Sequence, residues 1–341
     1  MNILFVGVKF YNYDSKITEE LRNMGHTVMY ITDSSYKYVF PARFTPQKIL
    51  DAEWRNYQSN ELMKIKGVHF DVVFVTVGRY LQKETLEELK RNNPNARFIL
   101  YLWDDVARVE NFNSVKSYYD IIFSFDPIDC VRHAFRFLPL FYTDEFYPAD
   151  VNKHEYDLYS AVSSHSDRVN IIKKICDDNP EGKFLFYVLL SRPEYMYRNA
   201  FDRKKDDRIK YIRRPVSKEY NREHLMYSKA LLDIPYLGQN GLTIRTFESI
   251  RCGIKLITTN ESIKYYDFYD KDSICIIDRK NPCITEDFLQ GKFSIDSSII
   301  EKYSLHNWLD TILAEKQGDF LKHGIKLADI VENQIEAERE E

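Results

Sequence analysis

The first part of the chain alternates continuous apolar runs with segments of helical periodicity. Apolar runs of this kind are typical of parallel strands that helices cover on both faces. The predicted strands are Asn2–Val8, His26–Thr32, Phe70–Val77, Arg97–Trp103 and Asp120–Ser124. The predicted helices span residues 14–24, 83–92 and 127–136, whereas residues 34–68 follow no regular period. The pattern predicts an α/β domain with a parallel sheet.

A second series of the same kind follows Phe137–Pro148, a segment with prolines and no clear period. Its predicted strands are Asp157–Val162, Phe184–Leu190, Tyr211–Ile212, Lys229–Ile234, Lys255–Thr259 and Ser273–Ile277. Helices are predicted over 168–177, over 243–251 and from 299 onward. We therefore predict two facing Rossmann-like domains, residues 1–148 and 149–341, with an interdomain cleft. Ligands of open α/β sheets bind outside the carboxyl ends of the strands.

Composition and charge narrow the class of protein. The 341 residues are 44% hydrophobic with a net charge of −4, which is typical of a globular protein and does not favour nucleic acid as a partner. The five cysteines form no CxxC pair, which argues against a disulfide framework or a structural zinc site. We predict a cytoplasmic protein, with the inner face of the membrane as the alternative location. The basic run Arg203–Arg208 is diluted by acids, so a solvated loop is favoured over peripheral membrane contact.

The most informative segment is Asp233–Asn260. A strand ends in a loop that contains Asn240 and Gly241, and a helix is expected to begin near Thr243. A glycine-containing loop that leads into a helix presents free backbone amides and a positive dipole end, which suits a diphosphate. Arg245 could add a bidentate contact to phosphate, and a carboxylate at Glu248 could accept both hydroxyls of a ribose. The alternative is an ordinary strand–loop–helix unit with solvated charges.

The order Gly241-Leu242, Phe247-Glu248, Gly253 and Lys255–Asn260 resembles the donor-binding segment of GT-B glycosyltransferases. More narrowly, it is similar to the CgeB-like group of bacterial surface-polysaccharide synthesis. The resemblance implies that Glu248 binds the ribose of the donor nucleotide. Many retaining members have a second glutamate eight positions earlier, where this chain has Asn240, so retention of stereochemistry cannot be inferred.

Two acids, Asp104 and Asp105, follow the fourth predicted strand. Adjacent carboxylates raise the pKa of one another, which suits a general base that takes a proton from a hydroxyl group. The resemblance implies that this strand end faces the acceptor. The alternative is that one of the two acids caps the helix that follows.

Two further loops of the second domain offer candidate donor ligands. Arg168 lies at a predicted strand-to-helix junction, where an arginine opposes the helix dipole unless an anion is bound. The CgeB-like group has a similar loop here, so the resemblance implies Arg168 and His165 as donor contacts. Arg214 and Ser217 follow a short strand beside the expected donor site. For each loop the alternative is structural, with a capped helix and a solvated arginine.

Together these features predict a metal-independent glycosyltransferase that needs no cofactor. It would move a sugar from a nucleotide-sugar donor to a glycan or lipid-linked glycan acceptor, in the synthesis of capsule, O-antigen or a similar bacterial surface glycan. A base at Asp104 or Asp105 would make the reaction inverting. The alternatives are a nucleotide-sugar 2-epimerase of the same fold and a non-catalytic nucleotide-sugar-binding subunit. The first loop has no GxGxxG, which weighs against a dinucleotide-dependent dehydrogenase.

Overall fold

The computed structural model describes residues 1–9, 11–34, 45–201 and 206–340. The chain divides into two compact units. The first consists of Met1–Pro139, Leu305–Asp319 and Leu327–Glu341. The second consists of Leu140–Ser304 and Phe320–Lys326. The division predicted at residue 148 assigned all C-terminal helices to the second domain, whereas in the structure the last two belong to the first unit.

The first unit contains a six-stranded parallel sheet in the order β2-β1-β3-β4-β5-β6 among the described residues. The strands are β1 Asn2–Gly7, β2 Thr27–Thr32, β3 Val72–Thr76, β4 Arg97–Leu102, β5 Ile121–Ser124 and β6 Arg136–Phe137. The central strand β3 is buried along its whole length, because helices cover both faces of the sheet. The first five strands confirm the predicted ones, and the two-residue β6 was not predicted.

The helices of the first unit include two that the sequence pattern did not reveal. In its N-terminal part, the described helices are α1 Tyr13–Asn23, α2 Gln47–Lys64, α3 Lys83–Asn92, α4 Phe112–Val115 and α5 Pro127–His133. The two that were not predicted are α2 and the four-residue α4. Helix α2 falls within the region that has no regular period, because its buried face mixes Leu50 and Trp54 with the polar Gln58 and Glu61.

In the part that the structure describes, the second unit contains another six-stranded parallel sheet, in the order β12-β11-β10-β7-β8-β9. Its strands are β7 Tyr156–Ser163, β8 Phe184–Leu189, β9 Ile209–Ile212, β10 Ser228–Asp233, β11 Lys255–Thr258 and β12 Ile274–Ile276. Its helices are α6 Arg168–Asp178, α7 Arg192–Phe201, α8 Lys218–Met226, α9 Ile244–Arg251, α10 Glu286–Gln290 and α11 Ser297–Glu301. The last two helices, α12 Leu305–Leu313 and α13 Leu327–Glu340, belong to the first unit. The prediction of two parallel α/β units is therefore confirmed.

In each sheet the strand order reverses at one point, between β1 and β3 in the first unit and between β7 and β10 in the second. Ligands of open α/β sheets bind outside the carboxyl ends of the strands at such switch points. In the part of the chain that the structure describes, no helix is long and apolar enough to span a membrane. Arg203, Lys204 and Lys205, from the basic run considered for membrane contact, lie outside the described residues.

Candidate functional site

Two helices begin at the switch point of the second sheet. Strand β7 ends at Ser163 and leads into α6, and the adjacent strand β10 ends at Asp233 and leads into α9. Because β7 and β10 pair in parallel, both helices start at the same edge of the sheet. Each helix start presents backbone amides and the positive end of a dipole.

Neither helix start is capped by the side chain that precedes it. The Thr243 hydroxyl at the N-cap of α9 donates to Asp233 Oδ2 at 2.6 Å and accepts from no amide of the described helix. At the N-cap of α6, the Asp167 carboxylate accepts two hydrogen bonds from Arg279 and makes no capping bond within the described residues. Side chains of these types usually bind the free amides of a first turn. Here they are turned toward other partners.

Three arginines converge on this edge. Arg245 Nη2 lies 2.8 Å from Asp233 Oδ1, and its Nη1 donates to Ala161 O at 2.9 Å. Arg279 adds a donor bond from Nη1 to Thr259 Oγ1 at 2.9 Å, beyond its pair with Asp167. The third arginine is Arg168. The charges of three guanidinium groups are opposed by two carboxylates, and both helix dipoles add positive potential at the same place.

Arg168 is buried, with 5% of its surface exposed, and its Nε donates to Ile234 O at 2.6 Å. Burial, and after it the charge of Arg245, lowers the pKa of Arg168 to about 10. A bound anion would offset both effects. Arg168 Nη1 lies 2.6 Å from His165 Nε2, and the imidazole stacks on Tyr236 with ring centroids 3.5 Å apart. Since a guanidinium can only donate, Nε2 accepts and the proton of the neutral ring is on Nδ1.

The loop before α9 is held from the next strand along the sheet. Asn260, after β11, donates from Nδ2 to the carbonyl oxygens of Gln239, Asn240 and Gly241 at 3.2–3.4 Å. Its Oδ1 accepts from Ser262 N at 3.0 Å. One buried amide therefore fixes the three residues that lead into the helix.

The other predicted donor ligands have different surroundings: one is buried, one caps a helix and one lies in an exposed loop. Glu248 lies in α9 with 2% of its surface exposed, so its carboxylate is closed to solvent in this conformation. Its contact with a ribose stays a prediction. Ser217 caps α8, because its Oγ accepts from Tyr220 N at 3.2 Å, which is the structural role named as the alternative. Arg214 is exposed in the loop before that helix.

The candidate bases lie at the end of β4 in the first unit. Asp104 Oδ2 accepts from Arg79 Nη2 at 2.7 Å. Asp105 takes the N-cap position of a short 3₁₀ turn and pairs with Arg108 at 3.2 Å. Its pKa is raised, first by burial and then by the charges of Asp126 and Asp104. The raised pKa expected from the adjacent carboxylate is thus present, although burial contributes more to it.

Sequence reasoning missed four residues of the second unit's site. Asp233 and Asn260 were only the ends of the Asp233–Asn260 segment, and Tyr236 and Arg279 were not considered. Arg279 follows β12, so the rule about carboxyl ends of strands contained the signal for it. Among the described residues, no group of three or more His, Cys, Asp or Glu side chains has the arrangement of a metal site.

No family model matches the sequence, and no curated protein matches it. Solved structures match over nearly the whole chain at low identity. An α-glucosyltransferase in complex with UDP and a 13-mer DNA is 13% identical, with a TM-score of 0.57 and 98% of both chains covered. A UDP-GlcNAc 2-epimerase from Neisseria meningitidis, bound to UDP-GlcNAc, is 10% identical, with a TM-score of 0.57 over 92% of this chain and 99% of that one. A trehalose-6-phosphate synthase is 12% identical, with a TM-score of 0.56 over 94% of this chain and 100% of that one.

At this identity the likeness establishes the fold alone. The two six-stranded parallel α/β units have the GT-B fold, and the proteins that share it include glycosyltransferases and UDP-GlcNAc 2-epimerases.

Proposed function

We propose that the chain is a nucleotide-sugar-dependent glycosyltransferase whose second unit binds the donor. Its diphosphate would lie against the first turns of α6 and α9. The observation that carries this proposal is that both helix starts, at adjacent strands of the switch point, lack side-chain caps while arginines surround them. Backbone amides and guanidinium groups are the donors that stabilise a leaving diphosphate without a metal.

Arg279, Arg168 and Arg245 have distinct roles in this proposal. Arg279 and Arg245 are held by carboxylates, so the diphosphate would share or replace Asp167 and Asp233 as their partners. Arg168, buried and without a carboxylate partner among its described hydrogen bonds, would gain most from an anion. Glu248 and Asn240 remain proposed donor contacts.

A base at Asp104 or Asp105 would take the proton of the acceptor hydroxyl, and the transfer would be inverting. The acceptor would be a glycan or lipid-linked glycan in the synthesis of a bacterial surface polysaccharide. The support for this context is the resemblance of the segment Asp233–Asn260 to the CgeB-like group.

The test begins with thermal unfolding in the presence of UDP, GDP, CDP and ADP. A bound ligand raises the unfolding temperature because it binds only the folded state. The nucleotide that does so defines the sugar donors to incubate next, with and without EDTA, while NMR follows the products. The proposal expects stabilisation by a nucleoside diphosphate and its release from a donor sugar in EDTA. A chain that binds none of the four nucleotides would contradict it.

Two other functions are separate outcomes of the same experiment. Conversion of UDP-GlcNAc to the 2-epimer would identify an epimerase, a class with solved structures of this fold at TM-scores of 0.54 and 0.57. Stabilisation without turnover, even with a panel of acceptors, would identify a non-catalytic nucleotide-sugar-binding subunit.

A further inference from the structure

The first unit has a switch point of its own, between β1 and β3, and an unusual turn follows β3 there. Val77 has a φ of 64° and Gly78 a φ of 63°. A left-handed conformation is rare for a β-branched residue, and such conformations persist where the surrounding structure holds them. Here Val77 N donates to Tyr101 O at 2.9 Å.

Four buried polar atoms around this turn have no hydrogen-bond partner among the described residues. They are Asp33 Oδ1, Arg79 Nε, Asn111 Oδ1 and Tyr119 OH. The carboxylate of Asp33 is fully buried and Tyr119 is 8% exposed. Buried polar groups normally have partners, because leaving one unpaired costs free energy. Four such atoms at one turn indicate that a ligand or bound water completes the set.

The four groups belong to one cluster, which we call the Gly78 cluster: Asp33, Arg79, Asn111 and Tyr119. The Asp33 carboxyl has a side-chain hydrogen bond with Ser34, and its Oδ2 accepts from Tyr80 N at 3.4 Å. The Tyr119 hydroxyl lies 3.5 Å from the position that a Cβ on Gly78 would take, and Asn111 Nδ2 lies 3.5 Å from Gly78 O. Residues from three other segments of the chain, Asp33, Asn111 and Tyr119, therefore contact the turn after β3.

The unpaired atoms of the Gly78 cluster are two acceptors, one donor and one hydroxyl group that can act as either. The oxygens of Asp33 and Asn111 accept, whereas the Arg79 Nε–H donates and the tyrosine hydroxyl can do either. A hydroxyl group both donates and accepts, so vicinal hydroxyls match this set. A phosphate or carboxylate ligand cannot donate to Asp33 and would bring a like charge beside it.

We propose that the Gly78 cluster is the acceptor subsite of this protein and takes an uncharged, polyhydroxylated group, a sugar ring rather than a sugar phosphate. The inference rests on the proposed function and adds the class of acceptor to it. The Arg79 guanidinium joins the cluster to Asp104, whose Oδ2 lies 2.7 Å from Arg79 Nη2. A hydroxyl held here lies beside a proposed general base. Because the unpaired atoms are shielded from solvent, the turn must shift to admit the ligand.

Saturation-transfer NMR on the full chain tests the proposal, with the protein saturated by the nucleotide that stabilises it. The probes are the methyl glycosides of glucose, galactose and mannose and their 6-phosphates. We expect saturable binding of at least one neutral glycoside, and weaker binding of its 6-phosphate. Asp33→Asn and Tyr119→Phe each remove one partner and should raise the dissociation constant about fivefold to tenfold.

Tyr118→Phe is the matched control, because the Tyr118 hydroxyl donates to Glu87 at 2.8 Å, outside the Gly78 cluster. It should leave glycoside binding unchanged, and none of the three variants should change nucleotide binding. Three results would overturn the proposal: preference for the 6-phosphate, equal binding of the glycoside by Tyr119→Phe and wild type, or binding of no neutral glycoside. The last of these would leave bound water as the occupant of the Gly78 cluster. If Asp33→Asn fails to fold, Tyr119→Phe decides alone. Failure of the proposed function is seen separately, as absence of nucleotide binding by the wild type.

Discussion

Arg279 binds Asp167 through two parallel hydrogen bonds, from Nε to Oδ2 at 3.0 Å and from Nη2 to Oδ1 at 2.8 Å. The two residues lie 112 positions apart in the sequence, at the ends of different strands. The pair holds the Asp167 carboxylate away from the first turn of α6, and Arg279 lowers the pKa of Asp167, mainly through these hydrogen bonds. Asp167, whose carboxylate could cap α6, therefore binds Arg279 and leaves the first amides of the helix without a side-chain cap.

We expect Arg279→Gln to raise the dissociation constant of the bound nucleoside diphosphate about tenfold to a hundredfold. A hydrogen bond to a charged group contributes roughly 1.5–3 kcal/mol, and the variant also leaves the Asp167 charge beside the diphosphate. Arg279→Lys keeps the charge but loses the bidentate geometry, so its dissociation constant should lie between those of the wild type and Arg279→Gln. Isothermal titration calorimetry measures all three proteins.

Arg208→Gln is the matched control for this prediction. Arg208 also forms an ion pair, with Asp206 at 2.7 Å, but it precedes β9 at the amino end of that strand. The control should lower stability and leave nucleotide affinity unchanged. Equal losses of affinity in the two variants would contradict a specific role for Arg279.

A second prediction concerns the amide that holds the loop before α9. Asn260→Asp keeps an oxygen to accept from Ser262 N, but a carboxylate cannot donate to the three carbonyl oxygens that Asn260 Nδ2 binds. We expect a lower free energy of unfolding by about 1–3 kcal/mol and weaker nucleotide binding. Urea unfolding and calorimetry measure the two effects. Unchanged affinity in a destabilised variant would mean that the loop does not position the ligand.

The strands were predictable because the physical signal for them is local. A fully buried strand such as β3 is a continuous apolar run, and its helices carry apolar residues at helical spacing. Helix α2 escaped prediction because its buried face includes Gln58, whose amide donates to the carbonyl oxygens of Asp33 and Tyr80 at 2.7 Å. A polar residue that is buried by hydrogen bonding looks like a surface residue in the sequence.

The candidate site was predictable only in part, for a related reason. The loop and helix start around Gly241 lie within one short segment, so their order in the sequence carries the signal. The pairing of Arg279 with Asp167 depends on strand order, which no local pattern encodes. The burial of Glu248 is likewise a property of tertiary packing.

A cycle of two changes, one in the protein and one in the ligand, separates a ribose-binding role of Glu248 from a purely structural one. The variant Glu248→Gln is paired with removal of the 2′-hydroxyl from the nucleotide ligand. If the carboxylate binds the ribose, the wild type should prefer the ribonucleotide over the 2′-deoxynucleotide by about fivefold or more, and the variant should lose that preference. Calorimetry with both nucleotides measures it. A variant that is less stable but keeps the preference would assign Glu248 a structural role alone.

A fourth prediction follows from the burial of Asp33, which raises its pKa from 3.8 to about 6. The folded state therefore binds this proton more readily than the unfolded state. The stability from this group is fully present below about pH 4 and is lost as the pH rises to about 6, a loss of about 3 kcal/mol.

Asp33→Asn removes this titration while its side-chain oxygen can still accept from Tyr80 N. The variant should therefore gain stability relative to the wild type between pH 4.5 and pH 7.5. Urea unfolding at the two pH values measures the difference. Asp129→Asn is a positive control, because burial raises the pKa of Asp129 to about 6 as well, so this variant should show a gain of the same sign. A constant difference between wild type and Asp33→Asn at both pH values would contradict the raised pKa.

The final prediction distinguishes the two candidate bases by the pH dependence of turnover. A general base must be deprotonated, so kcat/KM falls as the pH drops through the pKa of that group in the free enzyme. The pKa of Asp105 is raised, mainly by burial, so an enzyme that uses Asp105 should lose activity at a higher pH than an ordinary aspartate would dictate. Replacing the true base by asparagine should lower kcat about a hundredfold or more, with little effect on nucleotide affinity.

Asp104→Asn has a second consequence, because it frees Arg79 from its partner and so disturbs the Gly78 cluster. If Asp105 is the base, Asp105→Asn should lower kcat, whereas Asp104→Asn should mainly raise the KM of the acceptor. The reverse pattern would assign the base to Asp104, and full activity in both variants would refute a base at this strand end.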